Sequence, residues 1–157
     1  MKQDRFLVGI LIGIAVLIIV ALTVFFTRQN KQTYGSEDTP EGVVHNYVLA
    51  VLNKDYQKAY GYLADLENKP SYDAFHRSFA TGLLDPSNAG VKIGKADVTG
   101  EDATVDISMV YTPGDPFQRG YNNPGPAQLV RQNGTWKISS MPADNLWDYG
   151  WYHVPPK

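Results

Sequence analysis

The chain contains no cysteine, which removes disulfide bonds and thiol chemistry in one step. Its three histidines, His45, His76 and His153, are widely separated. Without cysteine, and without the acid spacing of a calcium loop, they compose no metal site. Neither a Gly-rich phosphate loop nor a Gly-x-Ser-x-Gly elbow occurs, so no cofactor is expected. Basic charge is also in short supply. Residues 32–157 hold ten Lys and Arg against fifteen Asp and Glu, a net charge of −5. That balance disfavours nucleic acid and anionic headgroups as partners, since both need a basic footprint.

Charge of either sign is missing from one stretch. Phe6 to Phe26 (FLVGILIGIAVLIIVALTVFF) runs 21 residues, sixteen of them Leu, Ile, Val or Phe. As a helix at ~1.5 Å per residue it would measure about 31 Å, close to the ~30 Å hydrocarbon core of a bilayer. A cleaved signal peptide has an apolar core of about 7–15 residues before a small-x-small site. This run is longer and ends Val24-Phe25-Phe26-Thr27-Arg28. The sequence therefore predicts a transmembrane anchor over residues 6–26, with the lipid bilayer as its partner and residues 1–5 as a cytoplasmic tail. Lys2 and Arg5 on one flank nearly balance Arg28 and Lys31 on the other. The short leading tail is what favours a cytoplasmic N-terminus and an extracytoplasmic body at the cell membrane. Gly9 and Gly13 form a G-x-x-x-G. That spacing lets two helices approach closely and offers a homodimer through the anchor, although glycine is common in membrane helices without such a role.

Residues 27–38 (TRQNKQTYGSED) read as a polar linker. The chain beyond it suffices for one domain with a real core. Thr39-Pro40-Glu41 is a helix start, with a capping hydroxyl, a proline suited to the first turn and an acid at the positive end. Val44, Tyr47, Val48, Val51 and Leu52 follow at helical spacing as one apolar stripe. Asp55 caps a second helix carrying Tyr56, Ala59, Tyr60 and Leu63. Ser71 caps a third carrying Tyr72, Phe75, Phe79 and Leu83. After Asp85-Pro86 the period changes to two. A strand from Val91 to about Thr99 is followed by one in which Ala103, Val105, Ile107, Met109 and Tyr111 alternate with Thr104, Asp106, Ser108 and Val110. Thr112 to Pro126 (TPGDPFQRGYNNPGP) is rich in proline and glycine and reads as a long loop. Asn133-Gly134 between two short strands predicts a hairpin.

These elements make an α+β domain of about three helices packed on a curved antiparallel sheet. Thr39-Pro40-Glu41-Gly42-Val43-Val44 followed by Leu49 to Tyr60 (LAVLNKDYQKAY) resembles the opening of nuclear-transport-factor-two-like (cystatin-like) domains of the membrane-anchored bacterial type. Asn133-Gly134-Thr135-Trp136-Lys137-Ile138 is similar to the family's last hairpin. The resemblance covers residues 39–142 and leaves 143–157 as an aromatic tail. It implies a sheet wrapping a long helix, a cone whose mouth can hold a ligand.

Enzymes of that superfamily, such as ketosteroid isomerases and scytalone dehydratases, work in the cone with Asp, Tyr or His. Their catalytic motifs do not map onto this chain. His45, Tyr47, Tyr60, Asp65, His76 and Asp106 are present, but none pairs with a second group at a spacing that general acid–base work requires. The aromatic residues are more informative. Tyr47, Tyr60, Phe75, Phe79, Tyr111 and Trp136 are candidates for lining the cone, unless they simply fill it as core. Tyr121, Trp147, Trp151 and Tyr152 fall outside any periodic pattern. They are candidates for an interaction surface, or for a segment that packs back on the domain. The reading is a non-enzymatic, membrane-anchored binding or assembly domain whose partner is another membrane or envelope protein. Two alternatives stand beside it. One is a structural subunit of an envelope or secretion complex, and the other is a small-molecule binder or cryptic acid–base enzyme using the cone.

Overall fold

The computed structural model describes residues 5–28, 33–111 and 121–142. The chain divides into two compact units, one before and one after the Thr33–Tyr34 junction. The first is a single helix, α1 (Arg5–Arg28), 24 residues long. Side chains are described for its residues 8–24, all exposed. Among the described residues no helix is long and apolar enough to cross a membrane. The uncharged run of the sequence extends two residues beyond that stretch at each end. Gly9 and Gly13 have open space around them.

The second unit is α+β. Helices α2 (Pro40–Leu52), α3 (Tyr56–Gly61) and α4 (Tyr72–Ala80) precede a 3-10 turn at Pro86–Asn88. Strands β1 (Ala89–Thr99), β2 (Asp102–Tyr111), β3 (Tyr121–Gln132) and β4 (Thr135–Ser140) follow. The strands form one antiparallel meander in chain order. The three caps read from the sequence are all in place. Thr39 accepts from the Gly42 amide, Asp55 from Lys58 and Ser71 from Ala74, each relieving an amide that the first turn leaves unpaired.

α2 is the spine of the domain. A single apolar stripe was the expectation, yet nine of its thirteen residues are buried. The sheet packs on it from one side, α3 from another, and the segment ahead of it from a third. Leu52, placed in that stripe by spacing, is 42 % exposed because the helix ends there, beyond the reach of the sheet. On β2, Ala103, Val105, Ile107 and Met109 face α2 and are buried, while Thr104 and Asp106 lie exposed on the outer face. Trp136, Ile138 and Leu129 complete the same core from β3 and β4.

α3 and α4 are joined by rings. Tyr72, Tyr60, Phe75, Phe79, Tyr56 and His76 contact one another in a closed cycle with centroid separations of 5.1–6.0 Å. Edge-to-face and offset pairs of this kind add about 0.5–1.5 kcal/mol each beyond the area they bury. Leu83 lies past the end of α4 and is half exposed, not part of that face.

One expected loop is a strand. Residues 112–120 lie outside the described residues, but Tyr121 to Pro126 form the first half of β3, in register with β2 from Tyr121↔Tyr111 to Pro126↔Asp106. Pro124 and Pro126 stand two apart, so the missing donors fall on one side of the strand only. β4 pairs only from Gln128 onward, so among the described residues this half of β3 has a strand neighbour on one side. An edge tolerates proline, and composition alone does not reveal an edge. The Asn133-Gly134 hairpin is as expected, with both residues at positive φ (52° and 80°).

The segment ahead of α2 is not a free spacer. From Tyr34 onward it belongs to the folded unit and crosses the start of α2 as a strap. The Ser36 carbonyl lies so close to Gly42 that any side chain there would collide with it. Fully buried Asn46 holds Gly35 at both ends of its backbone, accepting from the amide at 2.7 Å and donating to the carbonyl at 3.1 Å. The Tyr62 hydroxyl donates to Glu37 at 2.7 Å, and the Lys58 ammonium sits 3.3 Å from the centre of the Tyr34 ring. Asn46→Ala deletes both clamp bonds and opens a hole beside α2. Urea denaturation of the full chain in detergent, followed by circular dichroism, should show a loss of about 1–3 kcal/mol. Exposed Gln57→Ala should stay within about 0.5 kcal/mol of the parent. An N46A variant as stable as that control would show that the clamp does not hold the strap.

Candidate interaction surfaces

Where the resemblance implies a cone, the space between the helices and the sheet is occupied by the protein itself. Tyr47, Phe75 and Met109 are fully buried, and Trp136 and Phe79 nearly so. Tyr60 is half-buried, its hydroxyl donating to the Pro70 carbonyl at 2.8 Å. Of the candidates for lining a pocket, these pack into one continuous core or against it. The backbone of Tyr111 pairs with that of Tyr121 at the far end of the sheet. Trp147, Trp151 and Tyr152 lie outside the described residues.

Three clefts lined by described residues open on the outside of the domain. One of about 570 Å³ lies on the sheet's outer face, between Lys92, Asp106, Ser108, Pro124 and Pro126. A second, about 600 Å³, lies among the helices, floored by Val51, Tyr56, Phe79 and Leu84 and rimmed by Leu52 and Pro86. Tyr56 stacks on Phe79 there at 5.4 Å. Leu52 and, beside the groove, Leu83 are 42 % and 50 % exposed. The third, about 470 Å³, is polar and lies between the end of α3 and the β3–β4 hairpin.

Two groups among the described residues have a shifted proton affinity. Burial first, then the hydrogen bond to Glu37 and its charge, hold the Tyr62 hydroxyl well above the ordinary tyrosine range. That residue caps α3, fastens the strap through Glu37 and keeps its proton. The Asp85 carboxyl, at the rim of the helical groove, is held below the usual carboxylate range by its hydrogen bonds from Ser87. Neither is a base poised near neutrality. His76 is exposed and held between the Tyr56 and Tyr72 rings, and Asp106 is on the solvated side of the sheet. No group of three or more metal-ligating side chains occurs among the described residues.

The sequence placed Leu52 and Leu83 on apolar helix faces rather than on a surface, and did not single out Lys69 or Lys137. Exposure of a leucine depends on where a helix ends relative to the sheet. The convergence of two lysines from positions 68 residues apart depends on the hairpin meeting α3. Neither leaves a local pattern.

No family model and no curated protein matches the chain. Among solved structures, a SEC-C motif containing protein from Rhodopseudomonas palustris is similar with a TM-score of 0.50 at 14% identity, over 68% of this chain and 79% of that one. A likeness at that identity establishes a shared fold and says nothing of activity. An uncharacterized cystatin fold protein from Novosphingobium aromaticivorans is similar with a TM-score of 0.43 at 11% identity, over 67% of this chain and 97% of that one. At that score it adds no support.

Proposed function

We propose that the chain is a membrane-tethered, extracytoplasmic recognition domain of cystatin-like type that docks a partner protein and transforms no substrate. The observation that carries this reading is the filled cone. Tyr47, Phe75 and Met109 are fully buried in the core shared by the helices and the sheet, where a ligand pocket would need open space. What the domain offers instead is surface. The helical groove joins an aromatic floor to exposed Leu52, and exposed Leu83 lies in sequence between its lining residues Gly82 and Leu84, a combination suited to an apolar segment of another membrane or envelope protein. The tether is α1, whose uncharged run from Phe6 to Phe26 has the length of a bilayer's hydrocarbon core. The filled cone also weighs against a cryptic enzyme.

Exposed Ser87 reports the side of the membrane. A Ser87→Cys variant, its only thiol, should react with an impermeant maleimide in intact cells. Labelling only after lysis would place the domain inside. A photocrosslinking amino acid at Leu83 of the full chain in its own membranes should yield one discrete protein adduct, lost when Leu52 is changed to Asp. A ladder of adducts unaffected by L52D would remove the groove as the docking surface.

A further inference from the structure

The β3–β4 hairpin closes over the end of α3, and the polar cleft between them sets two lysines, Lys69 and Lys137, against one carboxylate, Asp65. We propose that this cleft binds a small oxyanion, a carboxylate or phosphate group, through Lys137, Lys69 and Asn133. The Lys137 ammonium donates to the Gly61 carbonyl at 2.6 Å, meeting an acceptor that the end of α3 leaves unpaired. An ammonium has three donors, and Lys137 lines the cleft with one of them used among the described residues. Lys69, only 17 % exposed, donates to the Leu63 carbonyl at 3.3 Å and to Asp65 at 3.0 Å. It lies 4.5 Å from the centre of the Tyr60 ring, and one of its donors is unused.

Carbonyl bonds fix both ammonium groups in place and leave their charge intact. The opposing charge in the cleft is Asp65, which is 86 % exposed, and an ion pair so open to water is heavily screened. The cleft therefore keeps a net positive charge within a domain that is acidic overall. Its walls are rigid. Gln132 accepts from the Asp65 amide at 2.8 Å and donates to the Asp65 carbonyl at 3.2 Å, while the Thr135 hydroxyl donates to the Gln132 carbonyl at 2.9 Å. Asn133, at the hairpin turn, lines the same space, and none of its side-chain atoms is engaged by a described residue. Two lysine point charges and a side-chain amide are the donor set that suits an oxyanion. The site is separate from the helical groove, and its failure would leave the docking reading untouched.

The test uses the full chain, labelled with 13C at lysine Cε, in phosphatidylcholine nanodiscs at constant ionic strength. Titration with sodium phosphate, and separately with acetate, should shift the Lys69 and Lys137 signals saturably and leave Lys92, on the outer face of the sheet, unmoved. Lys137→Gln should weaken the midpoint about tenfold, the value of one charge-assisted hydrogen bond. Asn133→Gly keeps the positive φ of the turn and should weaken it about threefold; it carries the test should K137Q fail to fold. Replacing part of the lipid by phosphatidylglycerol, with no added anion, separates the sources. The same saturable shifts would assign the group to a headgroup, and their absence would assign it to a soluble or partner-borne anion. Shifts that rise linearly and alike at every lysine would overturn the proposal, as would a folded K137Q that titrates like the parent.

Discussion

A helix that is apolar on nearly every side cannot be left on a surface, and the enclosure of α2 is the constraint from which the rest of this domain follows. Each buried Val, Leu or Tyr of α2 contributes on the order of 1.5–3 kcal/mol, but only when covered, and no single sheet can cover a cylinder. The meander curves over one side, with Val105, Ile107, Met109 and Leu129 as the contacting row. α3 closes a second side, with α4 packed behind it through the ring cycle. The strap closes the last. That a polar residue, Asn46, sits fully buried in this helix follows from the same requirement. The strap's backbone arrives with an amide and a carbonyl to satisfy, and one side-chain amide supplies both partners. Gln132 repeats the device on the backbone of Asp65. Segments too short to form a strand are thus fixed by amide side chains acting as strand partners.

Filling the cone has a consequence for function. A sheet wrapped on a helix makes a ready cavity only where the helix presents small residues. Here Tyr47, Phe75 and Trp136 take up that volume. Chemistry needs a desolvated space with a tuned group in it, whereas the tyrosine whose proton is most tightly held, Tyr62, serves to fasten the strap. The outward-facing features are what remain for recognition, and they differ in kind. The helical groove has an apolar floor with Leu52 on a rim that also carries Lys54 and Asp85, and the cleft at the hairpin is polar and carries two lysines against one aspartate.

Much of the fold was legible because its signals are local. Thr39, Asp55 and Ser71 cap the helices that their positions predicted, Asn133-Gly134 turns the hairpin, and the alternation from Ala103 to Met109 places the inner face of β2. The misreadings have non-local causes. Leu52 and Leu83 fit helical spacing, but periodicity does not record where a neighbouring sheet stops. Tyr121 to Pro126 looked like loop because Pro124 and Pro126 are poor strand formers in general and acceptable ones at an edge, and edge status is a property of the whole sheet. The linker reading failed at Tyr34 to Glu37 because nothing in a polar, aperiodic segment announces that Asn46 is waiting for it. Of the site, the aromatic residues were legible as a class. Whether they would fill the cone or line it depended on packing volumes that no spacing encodes.

The central claim is that the cone holds no room for a ligand. Xenon enters apolar cavities that stand empty inside proteins, so methyl-labelled full chain under rising xenon pressure tests the claim most directly. The account predicts that the methyl signals of Val44, Ile107 and Leu129, which surround the interior, show no saturable shift. Saturable shifts confined to those residues would reveal an internal cavity, and would return the cone to the position of a binding site.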